Sequence, residues 1–342
     1  MLEYKNDKWK ALLALAPTLI LMLVFTFYPI FNTIMTAFME GYTYGVWLES
    51  SDTNAIAWLT HFGETVVENT YNGDGEIIGT ISQYVGIGFG NFEITLKDPT
   101  FIKAFKNTCI MVFISVPITV IIGLLISVAL NGIKRGQTVF QTIFFLPYVT
   151  NSIALGLVFS VLFGSKNGLI NSLLVSLGME PVAWVVFLGN SQPTYLTCMF
   201  VLMVYTLWNG LAFKILVFLS GMQSIDKQYY QAAQIDATPR WRVFAKITVP
   251  LLSPMIAYIL ITSLIGAFKV YSSVIALFNN NFGPSNDPDM LITMVGYTYK
   301  FLDNMQVMNA ISRASASALI LFAIIMAITV VELWVSKKKV HY

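Results

Sequence analysis

Residues 221–254 hold the chain's most regular run of helix-capping, helix-forming and helix-breaking side chains. Ser224 or Asp226 can cap a helix that begins near Lys227, because a short side-chain oxygen satisfies the free amides of a first turn. Tyr230, Ala233 and, one turn on, Ala237 then fall along one helical face. Pro239 forbids an unbroken helix, since its ring clashes with the preceding turn and it donates no amide hydrogen. A second short helix from Arg240 sets Phe244, Ile247 and Leu251 along one side. The pattern predicts a helix-turn-helix knuckle, apolar on one side and basic on the other, with Pro250 and Pro254 opening the next helix.

A second chemical signal is Lys269, set in the otherwise apolar stretch Gly266–Ser273. A charge at membrane depth is costly and usually faces a pathway or another helix. Its ammonium offers three donors to solute oxygens; snorkelling or pairing with a partner subunit is the competing reading. Lys214, nearer the end of its own apolar stretch, is expected to snorkel.

Catalysis finds no support. The chain lacks a Walker-type glycine–lysine phosphate loop, and no nucleophile–base constellation appears. Cys109 and Cys198 both lie in apolar stretches and read as small hydrophobes. His61 and His341 are far apart in sequence and assigned to opposite sides of the membrane, which argues against a histidine-based metal site. The net charge of +2 and the lack of a basic arm argue against a nucleic-acid partner.

These residues must be positioned by helices in a bilayer. Of 342 residues, 56% are hydrophobic and only 11% charged, too few to hydrate the surface of a globule of this size. Six stretches reach the roughly 20 residues needed to cross the hydrocarbon, near 11–38, 107–131, 138–163, 195–221, 252–278 and 315–335. The first exceeds the ~7–15 residues of a signal-peptide core and shows no evident cleavage site, so it is expected to remain as a helix. Pro117, Pro147 and Gly210 mark kinks or close packing within spans. The expected fold is therefore an all-α integral membrane protein of six transmembrane helices, with a coupling loop at 222–250.

Basic residues cluster on one side of this arrangement. Lys5, Lys8 and Lys10 precede the first span, Lys134 and Arg135 follow the second, and Lys227, Arg240, Arg242 and Lys246 follow the fourth. Lys337, Lys338 and Lys339 follow the sixth, so both termini are expected in the cytoplasm. The connection from Glu40 to Asp98 holds nine acidic residues and one base, Lys97, and is assigned to the exterior. Within it, β-branched runs at 64–71 and 76–81 flank Asn72-Gly-Asp-Gly75 and predict a hairpin. That insertion reads as an ordered cap or as a docking surface. A second external connection, 164–194, is expected to hold an interfacial helix near Trp184.

The run Gln231-Ala232-Ala233, then Asp236-Ala237-Thr238, then Phe244, Ile247 and Pro250, resembles the EAA loop of membrane subunits in binding-protein-dependent ATP-binding-cassette importers. The likeness is to the carbohydrate branch related to the maltose transporter. Ala11–Pro17, Phe27–Ile30, Gly90–Phe92, Asp98–Phe101, Asn107, Thr108, Pro117 and Phe145-Leu-Pro147 extend it, whereas 41–88 has no counterpart. Three positions depart: the family's Glu is Gln231, its Gly is Ala237, and its last Ala is Thr238. If the turn needs a left-handed residue, Ala237 costs about 1 kcal/mol.

The resemblance implies that the knuckle seats in a groove of an ATPase subunit through Tyr230, Gln231, Ala232, Ala233, Asp236, Ala237 and Phe244. ATP and Mg would be bound by that partner, with no cofactor in this chain. It further implies a second homologous permease, two ATPase subunits or domains and an extracellular solute-binding protein. By position, Asn209, Gly210, Phe213, Phe268, Lys269 and Ser272 become candidates for the solute pathway. Helix packing is the alternative for Trp208, Phe213 and Phe268. The expected organisation is a tail and first helix at 1–40, an insertion at 41–100 and a five-helix permease core at 101–342. An ion-coupled transporter would carry acidic residues in its spans, where Glu332 near the cytoplasmic end is the principal one. Another solute class, such as peptides or amino acids, remains open because the loop reports coupling and not cargo.

Overall fold

The computed structural model describes residues 7–42, 62–71, 77–133, 136–165, 168–304 and 309–339. The turn Asn72–Gly75, most of the insertion before residue 62, His61, His341 and the orientation signals Lys5, Lys134 and Arg135 lie outside them.

Helix α1 (Asp7–Met22) runs through a π-helical turn, Leu23–Phe27, into α2 (Tyr28–Phe38). The wide turn ends just ahead of Pro29, whose ring cannot accept an ordinary helical approach to the carbonyl four residues back. Next come β1 (Met39–Glu40), β2 (Thr65–Tyr71), β3 (Ile77–Tyr84) and β4 (Gly86–Ile87). β1 pairs with β4, and β2 pairs antiparallel with β3 from Thr65 opposite Tyr84 to Tyr71 opposite Ile77. The expected hairpin is thus present. The helices that follow are α3 (Gly90–Lys97), α4 (Pro99–Asn131), α5 (Gln137–Val149), α6 (Ser152–Leu162), α7 (Leu169–Ser176) and α8 (Tyr195–Gln223). The last part of the chain forms α9 (Lys227–Ile235), α10 (Arg240–Val243), α11 (Val249–Leu251), α12 (Ser253–Phe268), α13 (Ser272–Leu277), α14 (Met294–Leu302) and α15 (Ala310–Lys339).

Among the described residues, four helical segments are long and apolar enough to cross a membrane: Leu12–Phe38, Pro99–Asn131, Tyr195–Gln223 and Ala310–Lys337. Two bent pairs raise the number to six if each counts as one span. The first pair falls on the span expected at 138–163. α5 and α6 meet at 100°, and the break lies at Thr150–Asn151 rather than at Pro147. Thr150 leaves the helix with ψ 141°, and the Asn151 side chain restarts it by accepting from the Ile153 amide at 2.8 Å. The span expected at 252–278 is also interrupted. α12 stops at Phe268, Lys269 closes it, and α13 begins only at Ser272. Sixteen residues of α12 reach ~24 Å, short of the ~30 Å hydrocarbon.

The chain divides into two compact units. One comprises Met1–Asp98 with Thr298–Ile320. In it, the Glu40 carboxylate accepts from the Gly90 amide, and Asn91 Nδ2 donates to the carbonyls of Ala37 and Met39 at 3.1 and 3.0 Å. Arg313 Nη2 meets Asp98 Oδ2 at 2.6 Å and lies over the Phe301 ring.

The other unit comprises Pro99–Tyr297 with Leu321–Tyr342 and contains both candidate sites. α4 and α8 pack closely, with Ser127 Oγ donating to the Ile215 carbonyl at 3.1 Å. Small residues allow this approach, as is usual where lipid supplies no hydrophobic drive between helices. A core of Met111, Phe159, Leu202, Tyr205, Val274 and Leu291 fills the opposite end of the same helices. The 164–194 connection holds a helix, α7, tied down by Asn171, whose side chain accepts from Trp184 Nε1 at 2.9 Å.

Candidate functional site

The knuckle forms, but its first helix ends at Ile235, so Ala237 lies beyond it and does not share a helical face with Tyr230 and Ala233 as expected. Asp226 rather than Ser224 caps α9, accepting from the Gln228 amide at 2.9 Å. The helix closes when the amides of Thr238 and Ala237 donate to the carbonyls of Ala233 and Gln234, at 2.9 and 3.1 Å. This paired closure requires a left-handed residue at its centre, usually glycine, and Ala237 occupies that place with φ +47°. Pro239 then starts α10, which passes through a second π-helical turn, Phe244–Thr248, ahead of Pro250.

Side-chain placement separates an inner from an outer face. Ala233 is buried, Tyr230 and Phe244 are half-buried, and Tyr230 Oη lies 3.3 Å from Thr248 Oγ1. With Val128 and Met222 these residues enclose a cavity of about 540 Å³ beneath the knuckle. Gln231, Ala232, Asp236 and Ala237 are exposed. So are three large apolar side chains that the face pattern did not single out: Tyr229, Ile235 at 85% and Trp241 at 67%. On a segment this polar, such apolar groups mark a surface for a partner. The sequence signal was there in Ile235, set between Gln234 and Asp236, and in Trp241, set between Arg240 and Arg242.

A second cavity, of about 340 Å³, lies among α4, α8 and α12. Asn209, Gly210 and Phe213 line it, as expected from their positions. Ser115 and Thr119 of α4 and Thr262 and Ser263 of α12 add hydroxyls that sequence reasoning passed over, although polar groups within spans are a usable signal. Phe213 stacks on Tyr148, ring centroids 5.9 Å apart. Phe268, Lys269 and Ser272 are not among the lining residues: Phe268 is fully buried, and Lys269 and Ser272 are exposed on this chain. The helix ends at Phe268, and of the residues beyond it Val270 and Ser273, not Lys269 and Ser272, line the cavity.

Lys214, and not Lys269, is the lysine that lines this cavity. It does not snorkel. Its side chain is 7% exposed and lines the cavity, and Nζ donates to the Gly210 carbonyl at 3.1 Å.

Long apolar helices, two of the candidate spans bent, around a largely apolar cavity that carries hydroxyl, amide and ammonium groups mark a multi-pass membrane component. Residues 84–338 match the family described as binding-protein-dependent transport system inner membrane component, and the chain belongs to that family. It is 30% identical over 252 residues to the arabinooligosaccharides transport system permease protein AraP of Bacillus subtilis (strain 168), covering 73% of this chain and 76% of that protein. It is 31% identical to the multiple sugar-binding transport system permease protein MsmF of Streptococcus mutans serotype c, covering 74% and 81%. The fold matches a chain of a bacterial alginate ABC transporter crystallised with an alginate pentasaccharide-bound periplasmic protein, with TM-score 0.73, 20% identity and coverage of 98% and 97%.

Proposed function

We propose that this chain is a transmembrane subunit of an ATP-driven carbohydrate importer, contributing part of the solute pathway and coupling it to a cytoplasmic ATPase through 229–250. Both termini lie in the cytoplasm, on the basic-residue asymmetry. A second homologous permease, two ATPase subunits or domains that bind ATP and Mg, and an extracellular solute-binding protein complete the machine. The relatives named as permeases for arabinooligosaccharides and multiple sugars support the solute class.

One observation carries the coupling role. Ile235 and Trp241 stand exposed beside a turn held by the Ala237 closure, which is the shape of a rigid plug awaiting a groove. Movement of an ATPase holding that plug would pass through α10 and α11 to α12, bent 68° from them, and so to the cavity wall at Thr262 and Ser263. Tyr230, Ala233 and Phe244 support the plug from within; Gln231, Ala232 and Asp236 face the partner. Asn209, Gly210 and Phe213 are the pathway residues that the cavity supports best.

The test is ATP-dependent uptake into proteoliposomes holding the complex purified through a tag on this chain, with its external binding protein supplied. Deleting 229–246 should release the ATPase and abolish uptake. An ATPase that stays bound to the deleted chain would refute the coupling role, and uptake of peptides with none of saccharides would refute the solute class.

A further inference from the structure

Lys214 is an unusual presence in the cavity wall, and the helices around it are shaped to hold it. Its ammonium has one hydrogen-bond acceptor, the carbonyl of Gly210 one turn earlier on α8, although three donors are available. Among the described residues every other lining residue is uncharged; the polar ones offer hydroxyls or an amide, and none is a carboxylate. A cation removed from water without a counter-charge is strongly disfavoured, so such a site gains by admitting an anion.

Two glycines on different helices make the room. A side-chain carbon on Gly210 would stand 3.2 Å from Lys214 Nζ, and one on Gly123 of α4 would stand 3.1 Å from Lys214 Cβ. Both contacts are closer than carbon atoms comfortably accept. The lysine stem is thus pressed between α4 and its own helix, and the ammonium is delivered to the cavity rather than to the bilayer surface. Snorkelling is prevented by packing, not by length.

We propose that Lys214 selects for an anionic solute, one in which a carbohydrate carries a carboxylate or a phosphate group. This rests on the carbohydrate-importer reading and narrows it. The anion supplies the counter-charge that the wall lacks, taking the donors left by Gly210, while Asn209 and the hydroxyls of Thr119, Thr262 and Ser263 meet neutral sugar oxygens. Phe213 offers an apolar ring face to the sugar carbons. A neutral sugar leaves the ammonium uncompensated and is admitted less well.

The experiment measures ATP-dependent uptake by the complete purified complex with its binding protein. Three probes are compared: a galacturonic acid oligomer of two or three units, the galactose oligomer of the same length and linkage, and glucose 6-phosphate. Wild type should favour a charged probe, and the carboxylate and phosphate arms show which anion is taken. Lys214→Met should lower the charged-to-neutral uptake ratio by about tenfold or more, the worth of one charge-assisted hydrogen bond. Lys214→Arg should keep the ratio within about threefold of wild type. Gly210→Ala, which keeps the charge but displaces the ammonium, should lower the ratio too.

An unchanged ratio in Lys214→Met, with neutral oligosaccharides still imported, overturns the inference and leaves the carbohydrate reading standing. Loss of the second permease from the purified Lys214→Met complex also overturns it, because the ammonium would then be an intersubunit pairing group. Uptake of no saccharide by wild type sinks the carbohydrate reading, and the inference with it.

Discussion

The Thr238 amide donates to the Ala233 carbonyl at 2.9 Å across a turn in which Ala237 adopts φ +47°. A β-carbon in the left-handed region costs about 1 kcal/mol, so the knuckle carries strain at the point where force would pass. Ala237→Gly should remove that strain and slow hydrogen exchange at residues 237 and 238 by about fivefold. Exchange that is unchanged or faster would show the turn to be unstrained.

The outward apolar residues give a separate test of coupling. Ile235 and Trp241 contribute little to the fold of this chain, being largely exposed. Ile235→Glu and Trp241→Ala should therefore leave the chain folded in detergent yet lower ATPase co-purification about tenfold each, in the range of interface anchor residues. Full retention of the ATPase in the double variant would place the docking surface elsewhere.

The packing of α6 against α13 depends on Gly156. A β-carbon there would lie 2.4 Å from Ala276 Cβ, between α6 and α13. Gly156→Val must push these helices apart, costing about 1–3 kcal/mol by overpacking. The expected readout is a lower melting temperature of the purified chain and weaker uptake, and an unshifted melting temperature would contradict this packing.

Lys269 provides the contrast to Lys214. It is exposed at the end of α12 and does not line the cavity. Lys269→Met should change uptake by less than about threefold, since its side chain lies off the cavity wall and substitutions away from a site usually cost within about 0.5 kcal/mol. A loss as deep as that of Lys214→Met would bring Lys269 back into the pathway.

Much of this molecule was legible before any coordinates. A charge content of 11% forces burial in lipid, and the four long apolar helices follow from it. A cap at Ser224 or Asp226, the restart at Arg240 after Pro239 and the paired strands of the insertion are local consequences of side chains within a few residues. Even the strain at Ala237 could be anticipated, because a left-handed turn residue is a local property.

What failed to be legible depended on contacts between distant segments. Spacing alone presented Lys269 as facing the pathway and Lys214 as snorkelling. The structure reverses their surroundings: α12 breaks at Phe268, and Gly123, 91 positions before Lys214, opens a slot for its stem. The 100° bend at Thr150–Asn151 was hidden in the same way, since an apolar run reports that a segment avoids water but not the direction it takes. Local sequence fixes caps, turns and lipid preference because those energies act over one helical turn. Where a charge finally points is decided by packing, which compares space on helices that the chain brings together only after it folds.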